Sequence, residues 1–578
     1  MPTTGLGILS LMTFLPLVGM LLLFFVPESN KRAIQYTALG TSVATFLVSL
    51  VVLSKYIGHS FKFQMVENIP WMPNLGVSYS LGVDGISIWL VLLTTFLSVI
   101  SVWFSFYVDK RVKSYMAFIL LLETTMLGVF LALDLVLFYV FFEASLIPMF
   151  FLINIWGGER RTYAAIKFFL FTFLGSIFML VGIVAMSQIY KSAMGEQSFS
   201  LLAIQGAIAT GDFWRGTAPT VQMLLFWSFA IAFLVKCPMV PFHTWLPDAH
   251  TEAPTAGSVI LAGTLLKMGT YGFLRFCLPL FPDVIRNQVV IIMILAVIGI
   301  IYGALVAAVQ PDVKKLVAYS SVSHMGFVML GIFSLTHTGM LGGAMQQLNH
   351  GISTGALFLL IGLIYERRHT RLFKDFGGLK AQMPIYAAIF LIVMLSSVGL
   401  PGTNGFIGEF MAMLGGFQAA FAGSFGLNIG YSVIAGAGVI LAAVYLLVMF
   451  MRMFYGPNEN PENRRLRDLK PWEIAMCGAF VLFIFWGGLH PNTFLKPMEA
   501  SIGATRMMAL NPEGKRPSWE NPSHEIDAKG NLVRVAPGTS EAPVQGEIIA
   551  AGDQQPVFKP EAEQTEQASE EGVVAART

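Results

Sequence analysis

The sequence predicts an all-α polytopic membrane protein, and three observations carry that prediction. Of its 578 residues, 55% are hydrophobic and only 12% charged, with mean hydropathy +0.68. That is too apolar for a soluble domain. Apolar windows of about 20 residues, the length that crosses a bilayer as a helix, recur along the chain. The loops between them alternate in basic charge, as the connections of a multi-pass protein do.

Taken in order, the windows predict fourteen spans. The first seven are 8–26, 33–54, 84–108, 115–133, 135–156, 163–189 and 222–245. The others are 256–278, 288–310, 315–333, 338–364, 384–413, 429–455 and 472–491. The first run lacks a basic leader and a small-residue cleavage site, so it reads as a span and not as a cleaved signal peptide. Loops after spans 1, 3, 5, 9, 11 and 13 carry KR, DKRVK, GGERR, DVKK, ERRHTRLFKD and RRLRDLK. Those after spans 4, 10 and 12 have no Lys or Arg. The positive-inside rule then puts the basic loops in the cytoplasm and both termini outside.

The net charge of +2 conceals a split. Residues 501–578 hold 7 of the 36 Lys+Arg and 12 of the 34 Asp+Glu, leaving 29 against 22 in residues 1–500. From about Asn511 the chain is polar and rich in Pro, Glu, Gln and Ala, with little to bury, and reads as a disordered or loosely docked tail.

Two spans contain breaks. Span 7 is interrupted at Lys236-Cys237-Pro238, with Pro241 following, and span 12 at Leu400-Pro401-Gly402. Proline inside a helix removes a backbone hydrogen bond and clashes with the preceding turn. At membrane depth this is tolerated where protein or cavity water satisfies the freed groups. The breaks lie five spans apart, so their helices run in opposite directions. Paired broken helices in two inverted halves point to a transport pathway, although one alone is equally a packing kink.

The titratable residues lie at the same depth. Lys236 and Lys267 each sit near the middle of an apolar stretch, where an ionisable side chain costs about 2.5–3.5 kcal/mol on insertion scales. Glu143, in FFEASLIPMF of span 5, has two readings: a protonated carboxyl bonded to a neighbouring helix, or the partner of Lys236. As a pair, Glu143 and Lys236 form a proton switch, charged when together and releasing a proton when parted. Lys267 lies in what reads as an unbroken helix, with no carboxylate in its own span. His324 and His350 sit near the centres of spans 10 and 11. A lone histidine in an apolar helix is usually a satisfied core residue, but two in consecutive spans beside buried lysines suit a relay, because histidine titrates near neutrality. Glu409 follows the span 12 break in LPGTNGFIGEF, on the outward half, where an exit group belongs. Glu123 and Asp134 are weaker candidates with structural readings.

Other chemistry is not supported. Cys237, Cys277 and Cys477 are scattered and form no metal or disulfide motif. The run Gly402–Gly408 is glycine-rich but lacks the GK[ST] of a phosphate loop, and reads as close packing at a broken helix. His243, Asp248 and His250 fit a structured polar loop at the cytoplasmic mouth better than a metal site.

The segments FFEASLIPMFFLI, VKCPMVPFHTWLPDAHTEAPTAGSVILAGTLLKMGTYG, AYSSVSHMG and GLPGTNGFIGEF together resemble the antiporter-like proton-pumping subunits of respiratory complex I, over roughly residues 80–490. The chain looks like the M-type branch, counterpart of mitochondrial chain 4. The resemblance implies fourteen helices with two inverted five-helix repeats, spans 4–8 and 9–13. The chain then divides into 1–110, 111–280, 281–456, 457–500 and 501–578: leading spans, first repeat, second repeat, loop with span 14, and acidic tail. It also implies roles: Glu143 and Lys236 as the ion pair, Lys267 as the bridging lysine, His324 and His350 as the central relay, Glu409 as the exit group. L- and N-type relatives carry lysine at the position of Glu409.

The resemblance further implies a membrane-arm subunit with one proton channel in a bacterial inner membrane. Such a subunit would bind no cofactor itself; FMN, iron–sulfur clusters, NADH and quinone are expected in partner subunits. L-type and N-type antiporter-like subunits and the bilayer are the expected neighbours, without nucleic acid. Two alternatives stand beside it: the D subunit of a multisubunit Na⁺/H⁺ antiporter, and a scaffold that does not pump.

Overall fold

The computed structural model describes residues 5–510 together with two short strands, His524–Ile526 and Leu532–Arg534. The N-terminal part holds helices α1 (Ile8–Phe25) and α2 (Lys31–Lys55), strands β1 (Gln64–Met72) and β2 (Val77–Val83), and helices α3 (Ser87–Phe104) and α4 (Val112–Leu131). Next come α5 (Leu135–Ala144), α6 (Leu146–Trp156), α7 (Arg161–Met194), α8 (Leu201–Ala209), α9 (Pro219–Lys236) and α10 (Trp245–Glu252). Short pieces follow, α11 (Thr255–Ile260), α12 (Leu266–Gly272) and α13 (Leu278–Leu280), then α14 (Pro282–Ala308), α15 (Val313–Phe333) and α16 (His337–Arg368). The last are α17 (Leu379–Gln382), α18 (Pro384–Val398), α19 (Asn404–Phe421), α20 (Ile429–Phe454), α21 (Pro461–Arg464), α22 (Pro471–Leu489) and α23 (Asn492–Leu510).

Local chemistry sets many of the boundaries. Asn30, Asp134, Ser200, Asp312 and Thr336 cap helix starts by accepting from backbone N–H groups one turn ahead, which satisfies donors that have no intrahelical partner. Pro219, Pro282, Pro384 and Pro471 open helices at the one position where a missing N–H costs nothing.

Among the described residues, twelve helices are long and apolar enough to cross a membrane. Two expected spans, 256–278 and 384–413, are absent from that set, and neither is one continuous α-helical segment. In the first, π-helical turns at Leu261–Leu265 and Phe273–Cys277 flank α12. Lys267 lies, as expected, in a helix with no break in its right-handed backbone, but between two π segments that the sequence did not announce. In the second, α18 ends at Val398 and α19 begins at Asn404. Of those twelve, the most enclosed are α15 and α16, each 94% buried over its apolar window, against 39% for α1 and 28% for α2. The bundle is thus centred on the two helices that carry His324 and His350.

Three features fall outside a window-based reading. The segment before α3 forms an antiparallel hairpin, β1 with β2, turned through Pro73–Leu75 and Gly76. Buried Glu67 in β1 accepts from the backbone N–H of Leu9 at 2.7 Å and Ser10 at 3.1 Å, capping α1 from a distance. At the other end of the chain, α23 runs to Leu510 with Phe494, Met498, Ile502 and Ala509 buried. The expected boundary at 501 therefore falls inside a packed helix. Beyond it, β3 (His524–Ile526) and β4 (Leu532–Arg534) pair antiparallel in a unit of their own, and the rest of the expected tail lies outside the described residues.

Candidate functional site

The two broken helices position the site. Helix α9 stops at Lys236, and Val240-Pro241 is a cis bond. The carbonyl that α9 frees at Val235 accepts from Trp245 Nε1 at 2.9 Å, so α10 supplies the bond that the helix gives up. At the second break, Gly399 adopts φ +82° and the N–H of Leu400 donates to Leu395 O at 3.1 Å, closing α18 in the left-handed manner that favours glycine. A Cβ on Gly405 would strike the carbonyl of Ser396. The glycine-rich run therefore packs a broken helix closely.

At the first break, Lys236 is buried and its Nζ lies 4.7 Å from the Phe142 ring centroid. Glu143 is only half-buried, because α5 lies toward the edge of the bundle. Neither Lys236 Nζ nor Glu143 Oε1 has a hydrogen-bond partner. Each feels the other's charge, yet the expected ion pair is open, and Ser176 is the polar neighbour of the carboxyl.

Deeper in, Lys267 is fully buried and its ammonium meets His350 Nδ1 at 2.7 Å. It also donates to the carbonyl of Ala262, in the π turn just before it, at 2.5 Å. The wide turn brings that carbonyl to the ammonium; π turns gather at functional positions for this kind of reason. The rings of His350 and His324 stand 6.0 Å apart between centroids. His324 Nδ1 then meets Glu409 Oε1 at 2.7 Å. Gln346 Nε2 donates to the same oxygen at 2.9 Å, and the Tyr445 hydroxyl lies 3.4 Å from His324 Nε2. A cavity of about 10 Å³, about the space of one water, is lined by His324, His350 and Glu409 among others.

Of the six expected residues, the fold joins four by contact or ring proximity: Lys267, His350, His324 and Glu409. Glu143 and Lys236 face each other without touching. The two weaker candidates have local partners. Glu123 accepts from Ser42 Oγ at 2.9 Å, and Asp134 caps α5 while bonding Ser78 of the hairpin.

Sequence reasoning missed one further group. His250 lies not in a polar loop but in α10, fully buried and stacked on Phe358 with ring centroids 4.6 Å apart. It faces the charges of Lys267 and Lys314. Lys314 is buried too and donates to Ala253 O at 2.5 Å. It borders a polar cavity of about 340 Å³ at the basic-loop end, with Glu252, Arg161 and Arg371. In the sequence, the basic run DVKK that contains Lys314 signals only topology. Nearby, Asp248 pairs with Lys167 at 2.7 Å. No group of three or more His, Cys, Asp and Glu side chains gathers as a metal site among the described residues.

Residues 132–435 match the family model described as NADH:quinone oxidoreductase/Mrp antiporter, TM. The chain is 43% identical over 502 residues to NADH-quinone oxidoreductase subunit M of Rickettsia prowazekii (strain Madrid E), covering 86% of this chain and 98% of that protein. It is 46% identical over 493 residues to subunit M of Rhodobacter capsulatus, covering 84% and 94%. A chain of respiratory complex I from Thermus thermophilus with bound NADH superposes with TM-score 0.77 at 31% identity, covering 87% of this chain and all of that one. The chain belongs to the subunit M (chain 4) family of antiporter-like membrane-arm subunits of NADH:quinone oxidoreductase.

Proposed function

We propose that this subunit carries one proton-translocation channel of an H⁺-translocating NADH:quinone oxidoreductase, coupled to NADH oxidation and quinone reduction in other subunits. The observation that carries this reading is the pair of contacts at the bundle centre, Lys267 to His350 and His324 to Glu409. They join four titratable groups from four segments in two pairs, and a cavity with space for about one water borders both histidines. A scaffold has no use for such a row, because each buried ionisable group adds an insertion cost. Relatives named subunit M, at 43–46% identity, favour this reading over the antiporter alternative.

The proton path is built from the residues themselves. The polar cavity at the basic-loop end opens beside Glu252 and Lys314, and the charges of both Lys314 and Lys267 act on His250. Protons from that side load the lysines. When Glu143 approaches, Lys236 holds its proton; when the pair opens, the proton moves toward Lys267. Lys267 donates to His350 Nδ1, the pair of histidines passes the proton on, and His324 delivers it to Glu409 for release at the hairpin end. Tyr445 and Gln346 orient His324 and Glu409 for that step. In this reading spans 4–8 and 9–13 form two inverted halves, the basic loops are cytoplasmic and both termini periplasmic. The membrane is the bacterial inner membrane, and L-type and N-type subunits are the neighbours. FMN, iron–sulfur clusters, NADH and quinone belong to partner subunits.

The test is Lys236→Ala in the complex, purified under mild detergent and reconstituted in liposomes. The expected result is an assembled complex, peripheral arm included, with reduced proton pumping per NADH oxidised. Assembly with full pumping stoichiometry would overturn the mechanism.

A further inference from the structure

A second cavity, of about 260 Å³, lies between α2, α3, α16, α22 and the start of α23. Its walls are hydrocarbon and aromatic, among them Phe46, Leu93, Phe96, Leu348, Ile352 and Phe483. Two carboxamides reach it, and both are engaged elsewhere. Asn349 Nδ2 donates to Asn404 O at 2.7 Å, and Asn404 Oδ1 accepts from Ser396 Oγ at 2.6 Å. A guest therefore meets a surface that asks for carbon. Apolar cavities of about 150 Å³ already exclude water and accept small apolar guests.

The groups at the mouth decide the guest. Leu50 and Trp486 line the cavity while 39% and 40% exposed, and both lie on helices of membrane-crossing length, so the mouth opens at the level of the bilayer. A partner helix, about 10–12 Å across, does not fit such a volume; a single extended chain does. The rim is built from Trp89, Phe494 and Trp486, with successive ring centroids 4.8 and 5.4 Å apart. Trp89 stands two residues into α3 and Trp486 three before the end of α22, the level at which helices leave the membrane and aromatic side chains meet headgroups. Trp89 is 6% exposed, and its indole N–H has no acceptor. Buried donors are nearly always satisfied, so this one calls for an oxygen at the rim.

We propose that this cavity binds one acyl chain of a membrane glycerophospholipid, with an ester carbonyl accepting from Trp89 Nε1 and the tail lying between α3 and α16. The end of the tail packs behind Asn349 and Asn404, the residues that fix the start of α19, and so supports the broken helix that presents Glu409.

The test uses the assembled complex in membranes containing a phosphatidylethanolamine with a diazirine in its acyl chain. After illumination, labelled peptides are mapped, with Leu174 and Val181 of α7, 61% and 64% exposed, as the bulk-lipid control. The expected result is label on the Leu92–Phe96 and Leu348–Ile352 segments that falls at least fivefold in Leu348→Trp while the α7 label is unchanged. If that complex does not assemble, Leu93→Phe fills the cavity from the opposite wall, with the same expected fall. Label on α7 alone, label undiminished by either substitution, or labelling only by a diazirine-bearing isoprenoid in a parallel arm overturns the proposal.

Discussion

Lys267→Met separates a relay from a scaffold more sharply than any other substitution, because its structural costs nearly cancel. Methionine matches the stem of lysine and removes the ammonium. Doing so relieves an insertion cost of about 2.5–3.5 kcal/mol at mid-membrane. It also strips a partner from His350 Nδ1 and from the Ala262 carbonyl. Each buried group left unsatisfied costs about 1–3 kcal/mol, so about 2–6 kcal/mol is lost. Gain and loss offset to within a few kcal/mol, and the complex assembles. Proton transfer fares differently, since the group that meets His350 Nδ1 can then no longer carry a proton. The assay is purified complex in proteoliposomes, with NADH oxidation followed by absorbance and proton uptake by a pH-sensitive dye. The expected outcome is normal assembly with a lower proton-to-electron ratio. An assembled Lys267→Met complex that pumps at the parental ratio and rate refutes the relay.

Glu409→Gln keeps the size of the side chain and an oxygen for Gln346, but removes the carboxyl that His324 Nδ1 meets at 2.7 Å. A loss of about 1 kcal/mol in stability is expected, with proton release abolished in the same liposome assay. Arg275→Met strands the buried Asp84 carboxylate, which Arg275 Nη2 meets at 2.6 Å. Thermal unfolding of the complex should show a loss of about 3–5 kcal/mol, partly recovered in Asp84→Asn/Arg275→Met, where the orphaned charge is gone. Gly405→Ala places a methyl against the Ser396 carbonyl at the α18–α19 break. The subunit should be lost from the purified complex, as read by gel or mass spectrometry, whereas Gly436→Ala, with open space around its Cβ position, should assemble.

The legible parts of the site are those that depend on a residue's relation to the medium. Lys236, Lys267, His324, His350 and Glu409 stand out because an apolar helix has no local use for them, and all five are buried. The breaks after Lys236 and Val398 are visible for a related reason, since proline and glycine act on the backbone wherever they sit. Three things escape. The hairpin and α23 are too polar or too short for a membrane-length window. His250 looks like a loop residue because proline and polar neighbours surround it in PFHTWLPDAHTEAP, yet packing on Phe358 buries it. The π turns around Lys267 leave no mark in composition, because they are set by how that segment packs against its neighbours.

By itself, then, the sequence determined the membrane class, most of the span positions, the two interruptions and the identity of the charged groups. Each of these is a property of local solvation and local backbone geometry. The tertiary structure decided which groups meet. Lys267 reaches His350 across 83 residues of chain, and His324 reaches Glu409 across 85, because α12, α15, α16 and α19 converge at the bundle centre. The same packing leaves Glu143 and Lys236 apart. Such pairings depend on helix rotation and on a π turn of a few residues, to which hydropathy is blind and which only close packing specifies.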